Sequence, residues 1–155
     1  MRAILIVPIA ALIPTLALGG PKDPAAIIRD IYKTIRANES YEPPRDIYTP
    51  RLAKLFADDV ADAKGEVGRL DGSIWFNAQD FKYGGVSVSG RSDEFRKDRQ
   101  IVTAKVINFG KPETAVFYFE RQNGRWLIDD LQWTGKDEWV LSLVLKYGNY
   151  DDGRQ

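Results

Sequence analysis

Asp129 and Asp130 stand side by side in a run of strand-forming residues, RWLIDDLQW, from Arg125 to Trp133. Neighbours in a strand face opposite sides of the sheet, so alternation puts Asp130 on the face of Trp126 and Ile128. A carboxyl group held unpaired among apolar side chains keeps its proton to higher pH, which suits a general acid or base. The alternative is a structural carboxylate satisfied by an arginine or a backbone amide. Two further residues have the right types for proton transfer: Asp80, beside Gln79, and Tyr48, before Thr49-Pro50. Asp80 can equally cap a loop by accepting backbone N–H groups, and Tyr48 can pack as a staple against the start of a helix. Trp126, Ile128, Asp130 and Tyr118 form the candidate ligand-binding set.

Two absences narrow the chemistry. The 155 residues include no histidine and no cysteine. Ser-His-Asp and Cys-His mechanisms are therefore impossible, and so are disulfides, zinc–sulfur sites and a lipoprotein anchor. Acid–base work would fall to Asp, Glu, Tyr or Lys. Basic and acidic side chains balance at 22 each, so bulk charge does not favour nucleic acid or an anionic membrane. Arg91, Arg96, Lys97 and Arg99 alternate with Asp93, Glu94 and Asp98 and cancel rather than form a nucleic-acid patch. Asp58, Asp59 and Asp62 lack the tight glycine-containing loop of a calcium site and read as solvated charges on a helix face, so no metal is expected. No phosphate loop or dinucleotide fingerprint is present, and no cofactor is expected. Trp75, Trp126, Trp133 and Trp139 can line a pocket or fill a core.

The elements that must position these residues follow from local pattern. Met1-Arg2 and the 16 uncharged residues Ala3 to Leu18 read as an export leader, with Ala17-Leu18-Gly19 inviting cleavage after Gly19. The run falls short of the roughly 20 residues of a spanning helix and carries Pro8 and Pro14; the alternative is a retained membrane anchor. In a bacterium the leader implies the periplasm. Residues 20–155 then form a single domain. Asp23-Pro24 starts a helix with Ile27, Ile28, Ile31, Tyr32 and Ile35 at helical spacing, ending near Asn38. Thr49-Pro50 starts a second, with Leu52, Leu55, Phe56 and Val60 as its buried stripe and Gly65 as its stop. Ile74, Trp75 and Phe76 anchor an irregular stretch. Strands are expected over Asp80 to Val88, bent at Gly84-Gly85, and over Ile101 to Phe109, with a turn at Gly110-Lys111-Pro112.

Glu113 to Trp133 reads as a hairpin around Asn123-Gly124, a pair that tolerates the positive φ of a two-residue type I′ turn. Its apolar residues occupy both faces, Trp126 and Ile128 opposite Leu127, Leu131 and Trp133. Asp137 to Tyr147 reads as a short helix ended by Gly148, and Asn149 to Gln155 as a polar tail. The expected fold class is α+β: N-terminal helices on a strongly curved antiparallel sheet, with a short C-terminal helix.

This order of elements, with the hairpin FYFERQNGRWLIDDLQW, resembles the nuclear-transport-factor-like superfamily, the cystatin-like α+β cone. Ile47 to Leu52 (IYTPRL), Asn77 to Asp80 (NAQD) and Arg125 to Leu131 (RWLIDDL) are similar to a family of secreted bacterial domains of unknown function within it. The resemblance spans Ala25 to Tyr147 and implies a fold and an export route. It also brings to mind isomerases that use an Asp base with Tyr and protonated Asp donors, though no role transfers position by position. Two functions follow as expectations. One is a non-catalytic exported module that binds a small apolar ligand in the cone, or a protein partner through the sheet, with homodimers as one form. The other is an Asp/Tyr isomerase or lyase acting on a small carbonyl compound, with Asp130 as base and Asp80 or Tyr48 as proton donor. An open space of several hundred Å³ would favour a ligand. A cone plugged by its own side chains would end the ligand version and leave partner binding, through a dimer-forming sheet face.

Overall fold

The computed structural model describes residues 22–148; the expected leader and the polar tail lie outside them. Three helices and five strands run in the order α1 (Pro24–Ala37), α2 (Pro50–Ala63), β1 (Tyr83–Ser92), β2 (Arg99–Asn108), β3 (Lys111–Gln122), β4 (Arg125–Thr134), β5 (Trp139–Val140) and α3 (Leu141–Tyr147). A single 3₁₀ turn, Arg45–Ile47, precedes α2. The strands form one open antiparallel sheet in sequential order, β1-β2-β3-β4-β5. The class is α+β, as expected.

The helix starts are local. Asp23 accepts a hydrogen bond from the Ala26 N–H (3.2 Å), and Pro24 occupies the first helical position, where no intrahelical N–H bond is lost. Ile28, Ile31, Tyr32 and Ile35 then form one buried stripe. Thr49 caps α2 in the same way, its hydroxyl accepting from the Leu52 N–H (3.3 Å). The helix ends at Ala63, with Lys64 rather than Gly65 as its left-handed cap. Asn123 (φ 49°) and Gly124 (φ 77°) make the expected hairpin turn, and the same geometry recurs at Phe109 and Gly110 (φ 48° and 77°). That second turn displaces the expected Gly110-Lys111-Pro112 turn by one residue and leaves Lys111 and Pro112 in β3.

One face of the sheet carries the core. Val102, Ala104, Val106, Ala115, Phe117, Phe119, Ile128, Leu131 and Trp133 are all at most 1% exposed and pack against the buried stripes of the three helices. Removing a valine, isoleucine, leucine or phenylalanine side chain from water is worth about 1.5–3 kcal/mol, and an alanine methyl less than about 1 kcal/mol. Between helices and sheet the chain inserts its own Ile74-Trp75-Phe76. Three buried donors receive the carbonyls of this plug: Trp133 Nε1 on Ile74 (3.0 Å), the Tyr32 hydroxyl on Trp75 (2.8 Å) and Asn108 Nδ2 on Phe76 (3.4 Å). Trp75 also stacks on Phe117, 5.8 Å between centroids. A buried loop is tolerable only when its peptide groups find partners, and here core side chains supply them. The interior is filled.

Several expectations need correcting. The first strand starts at Tyr83 and runs to Ser92, and the Gly84-Gly85 pair marks a register shift at its start. Trp139 and Val140 are not helical; they pair with Trp133 and Gln132 as β5. Val60 is 67% exposed, so the α2 stripe loses it. Asp59 is buried instead, because Arg69 crosses to it: the Arg69 backbone N–H (2.8 Å) and Nη1 (3.4 Å) both donate to its Oδ1. Arg69 Nη2 also binds Asp62 at 2.6 Å, and Nη1 reaches the Leu145 carbonyl near the end of α3 at 3.2 Å. Asp59 is thus the buried half of a clasp between α2 and α3 and not a solvated charge, whereas Asp62 pairs with Arg69 at the surface, 61% exposed, as a solvated helix-face charge. Asp58 does pair at the surface, with Lys54 at 2.6 Å.

The hairpin corrects the alternation argument most sharply. Tyr118 pairs with Asp130 but Phe119 pairs with Ile128, so Asp129 is an extra residue, a β-bulge. The bulge resets the phase of β4. Ile128, Leu131 and Trp133 therefore share the core face. Asp130 goes to the outer face with Tyr118 and Gln132.

Candidate functional site

The bulge places two adjacent carboxylates where two helices begin. Asp129 Oδ1 accepts from the Thr49 hydroxyl (2.9 Å) and from Arg51 Nε (3.1 Å), while Arg51 Nη2 donates to the Asp129 carbonyl. Asp130 accepts from the Leu131 N–H (2.9 Å), the Ser142 N–H (3.0 Å) and the Ser142 hydroxyl (2.5 Å), with Arg51 Nη2 at 3.7 Å. Val140, at the start of α3, has no side chain that can cap, so Asp130 caps that helix from the neighbouring strand. Both carboxylates are occupied in fastening α2 and α3 to β4.

The other expected site residues lie apart from this cluster. Tyr48 is buried with its ring 5.1 Å from that of Phe56, and burial pushes its hydroxyl well above the usual tyrosine range. Its backbone bridges Ile128, and the Thr49 N–H donates to the Ile128 carbonyl (2.9 Å). Asp80 is exposed in the bend that leads into β1. Within the candidate ligand set, Ile128 is 1% exposed and belongs to the core. Trp126 packs at the core's edge beneath the Arg121 guanidinium, 5.9 Å from the ring centroid. Tyr118 lies on the outer face and donates its hydroxyl to Gln132 Oε1 (3.0 Å). The structure therefore unites Tyr118 and Asp130 and separates both from Trp126 and Ile128. Among the described residues, surface cavities of about 680, 470 and 580 Å³ open, and Asp80, Tyr48 and Asp130 line none of these.

The cavity of about 680 Å³ is a cleft between the Leu70–Gln79 loop and the β5–α3 corner. Trp139, Val140, Leu143 and Leu70 form its apolar wall; Asn77, Gln79, Gln132 and Lys136 bring polar groups, and Asp71, Asp137 and Glu138 bring carboxylates. Its walls are fastened to one another. The Trp139 indole N–H donates to Asn77 Oδ1, and Asn77 Nδ2 donates to the Asp137 carbonyl (3.4 Å). The loop is closed at its base by the Ser73 N–H on the Ala78 carbonyl (2.9 Å) and by Gln79 Nε2 on Asp71 Oδ2 (2.6 Å). Asn77 sits at φ 52°, a conformation asparagine tolerates better than most residues. Leu143 is 44% exposed on the rim. A rigid concavity of this size with an aromatic wall and a few oriented polar groups is the form of a small-molecule site.

Sequence reading had named Trp139 only among the aromatics able to line a pocket. Arg51, Asn77 and Leu143 escaped it, since each acquires its role from a partner 60 or more residues away or from a rim assembled by tertiary contact.

The fold and the cleft together describe an α+β protein with a solvent-open cleft at one corner of its sheet. Comparison with protein-family models, with curated proteins and with solved structures finds no match for the chain. Among the described residues no three acidic side chains converge as metal ligands do, and no helix is long and apolar enough to cross a membrane.

Proposed function

We propose that this chain is an exported, non-catalytic binding module, a nuclear-transport-factor-like α+β cone in type, that takes a small amphipathic ligand in the cleft beside Trp139. Helices covering one face of a sequential antiparallel sheet, with a bulge in β4 and a register shift at the start of β1, support the cone reading. The leader, Met1 to Gly19, supports export. The observation that carries the ligand reading is the cleft itself: about 680 Å³, walled by Trp139 and Leu143, with its loop pinned by Asn77 and Gln79. Ile74-Trp75-Phe76 occupy the space between helices and sheet, which speaks against the expected ligand inside the cone, so the ligand proposed here is placed in the surface cleft at this corner instead.

The test is titration with N-phenyl-1-naphthylamine, an uncharged dye that brightens in apolar sites. Saturable binding is expected, and Leu143→Asp should weaken it at least tenfold. Leu143 is half in water, so the variant should keep its stability within about 0.5 kcal/mol. No saturable binding, or binding indifferent to Leu143→Asp, refutes the proposal.

A further inference from the structure

Resting on that reading of the cleft, we infer that it selects ligands in which a cationic group sits beside an apolar body: organic amines rather than organic acids. The chain as a whole is neutral, with 22 basic and 22 acidic side chains, yet its charges are not evenly spread around this corner. Asp71, Asp137 and Glu138 face a single basic residue, Lys136, among the groups that line the cleft. Across the same loop, the second cavity adds Glu39 and Glu42 and has no basic residue in its lining, and Asp71 belongs to both walls. A cation entering the cleft meets three carboxylates against one ammonium group, whereas an anion meets mainly repulsion.

The aromatic wall suits the same ligand. The indole N–H of Trp139 is already committed to Asn77, so what remains for a ligand is the ring's π-surface, whose negative face attracts an ammonium group and repels a carboxylate. Asp71 does not swing freely, because Gln79 Nε2 holds its Oδ2 at 2.6 Å. A carboxylate already oriented loses less on binding than a mobile one. Leu143 and Val140 then receive the apolar part. The partition is simple: charge toward the loop, hydrocarbon toward the β5–α3 corner.

Three probes of one shape separate the terms: 2-naphthylmethylammonium, neutral 2-naphthylmethanol and 2-naphthylacetate, titrated against the full chain and followed at the Trp139 indole N–H signal by NMR. In 20 mM salt the ammonium probe is expected to bind about tenfold tighter than the alcohol, which is about 1.4 kcal/mol, and the acetate weaker than both. Raising salt to 0.5 M should shrink the ammonium advantage severalfold, since these charges sit at a solvent-open rim. Asp71→Asn combined with Glu138→Gln should shrink it likewise, with the neutral alcohol unaffected. Equal binding of all three probes, or an advantage that survives both substitutions, overturns the inference while leaving the cleft as a site. Failure of all three, the neutral probe included, overturns the proposed function itself.

Discussion

Replacing Asp130 with alanine asks whether its carboxylate is a clasp or a reactive group. The substitution strips the acceptor from three donors at once: the Leu131 N–H, the Ser142 N–H and the Ser142 hydroxyl. Loss of a helix cap costs about 0.5–2 kcal/mol, and a buried donor left without a partner costs about 1–3 kcal/mol. These terms share one side chain and do not simply add. The Asp130 side chain is 18% exposed, so water reaches part of the cluster and the Ser142 hydroxyl can turn toward it. A loss of about 3 kcal/mol is the expected sum after that discount. Asp130→Asn keeps Oδ1 for the two N–H groups but loses the charge and puts a donor where Oδ2 accepted from the Ser142 hydroxyl, which must turn to accept instead, so about 1 kcal/mol is expected.

The assay is urea unfolding followed by tryptophan fluorescence, read as a shift in midpoint at constant slope. A double-mutant cycle with Ser142→Ala should show a coupling of at least about 1 kcal/mol. Binding of the uncharged naphthylamine dye should survive in both Asp130 variants. The reasoning fails if Asp130→Ala costs less than about 0.5 kcal/mol, the range of an ordinary surface change. It also fails if the variant stays stable but loses the dye, for then Asp130 serves the site and not the fold.

Three other outcomes follow from the packing. A Cβ at Gly68 would lie 2.3 Å from Asp59 Oδ2 and 2.9 Å from its Cγ, so Gly68→Ala should destabilise the protein by about 1–3 kcal/mol. The same change in an Asp59→Ala background should be nearly neutral; an equal loss in both backgrounds would show that the contact is not responsible. Burial raises the hydroxyl titrations of Tyr32 and Tyr48, so both stay protonated in the folded chain above pH ~10, where unfolded tyrosine ionises. The unfolded chain then binds fewer protons. Their contribution is intact below that pH, and stability should fall above it by about 1.4 kcal/mol per pH unit for each tyrosine. Burial raises Tyr83 in the same direction, so urea midpoints measured upward from pH 9 should show this fall and Tyr32→Phe should make it shallower without removing it; a flat profile refutes it. Trp133→Phe removes the donor on the Ile74 carbonyl and part of a buried ring, and a loss of about 2–4 kcal/mol in thermal or urea unfolding is expected.

What could be read along the chain is what a few neighbouring residues decide. Asp23-Pro24 and Thr49-Pro50 start helices because a side-chain oxygen and a missing N–H act within one turn. Asn123-Gly124 turns the hairpin because both residues accept positive φ. The pair Gly84-Gly85 marked an irregular strand start, and the core residues of α1 announced themselves by spacing. The site was hidden for a different reason. Its wall depends on β5, two residues whose strand pairing with Gln132 and Trp133 leaves no periodic trace in a segment that otherwise reads as helix.

Asp129-Asp130 marks the division most clearly. Alternation along β4 assigned Asp130 to the face of Ile128, and that rule assumes an unbroken ladder. A bulge changes the count on one strand only, and pairing with Tyr118 and Phe119 makes it visible. By itself the sequence determined the class of fold, the starts of α1 and α2, the hairpin turn and the absence of histidine and cysteine chemistry, because all of these rest on composition or on contacts within a few residues. Tertiary structure alone decided that Ile74-Trp75-Phe76 fill the interior, that Arg69 makes Asp59 a buried clasp, and that Asp130 caps α3 while the cleft forms beside Trp139. Those outcomes depend on which distant groups meet, and side-chain valences are satisfied only once they do.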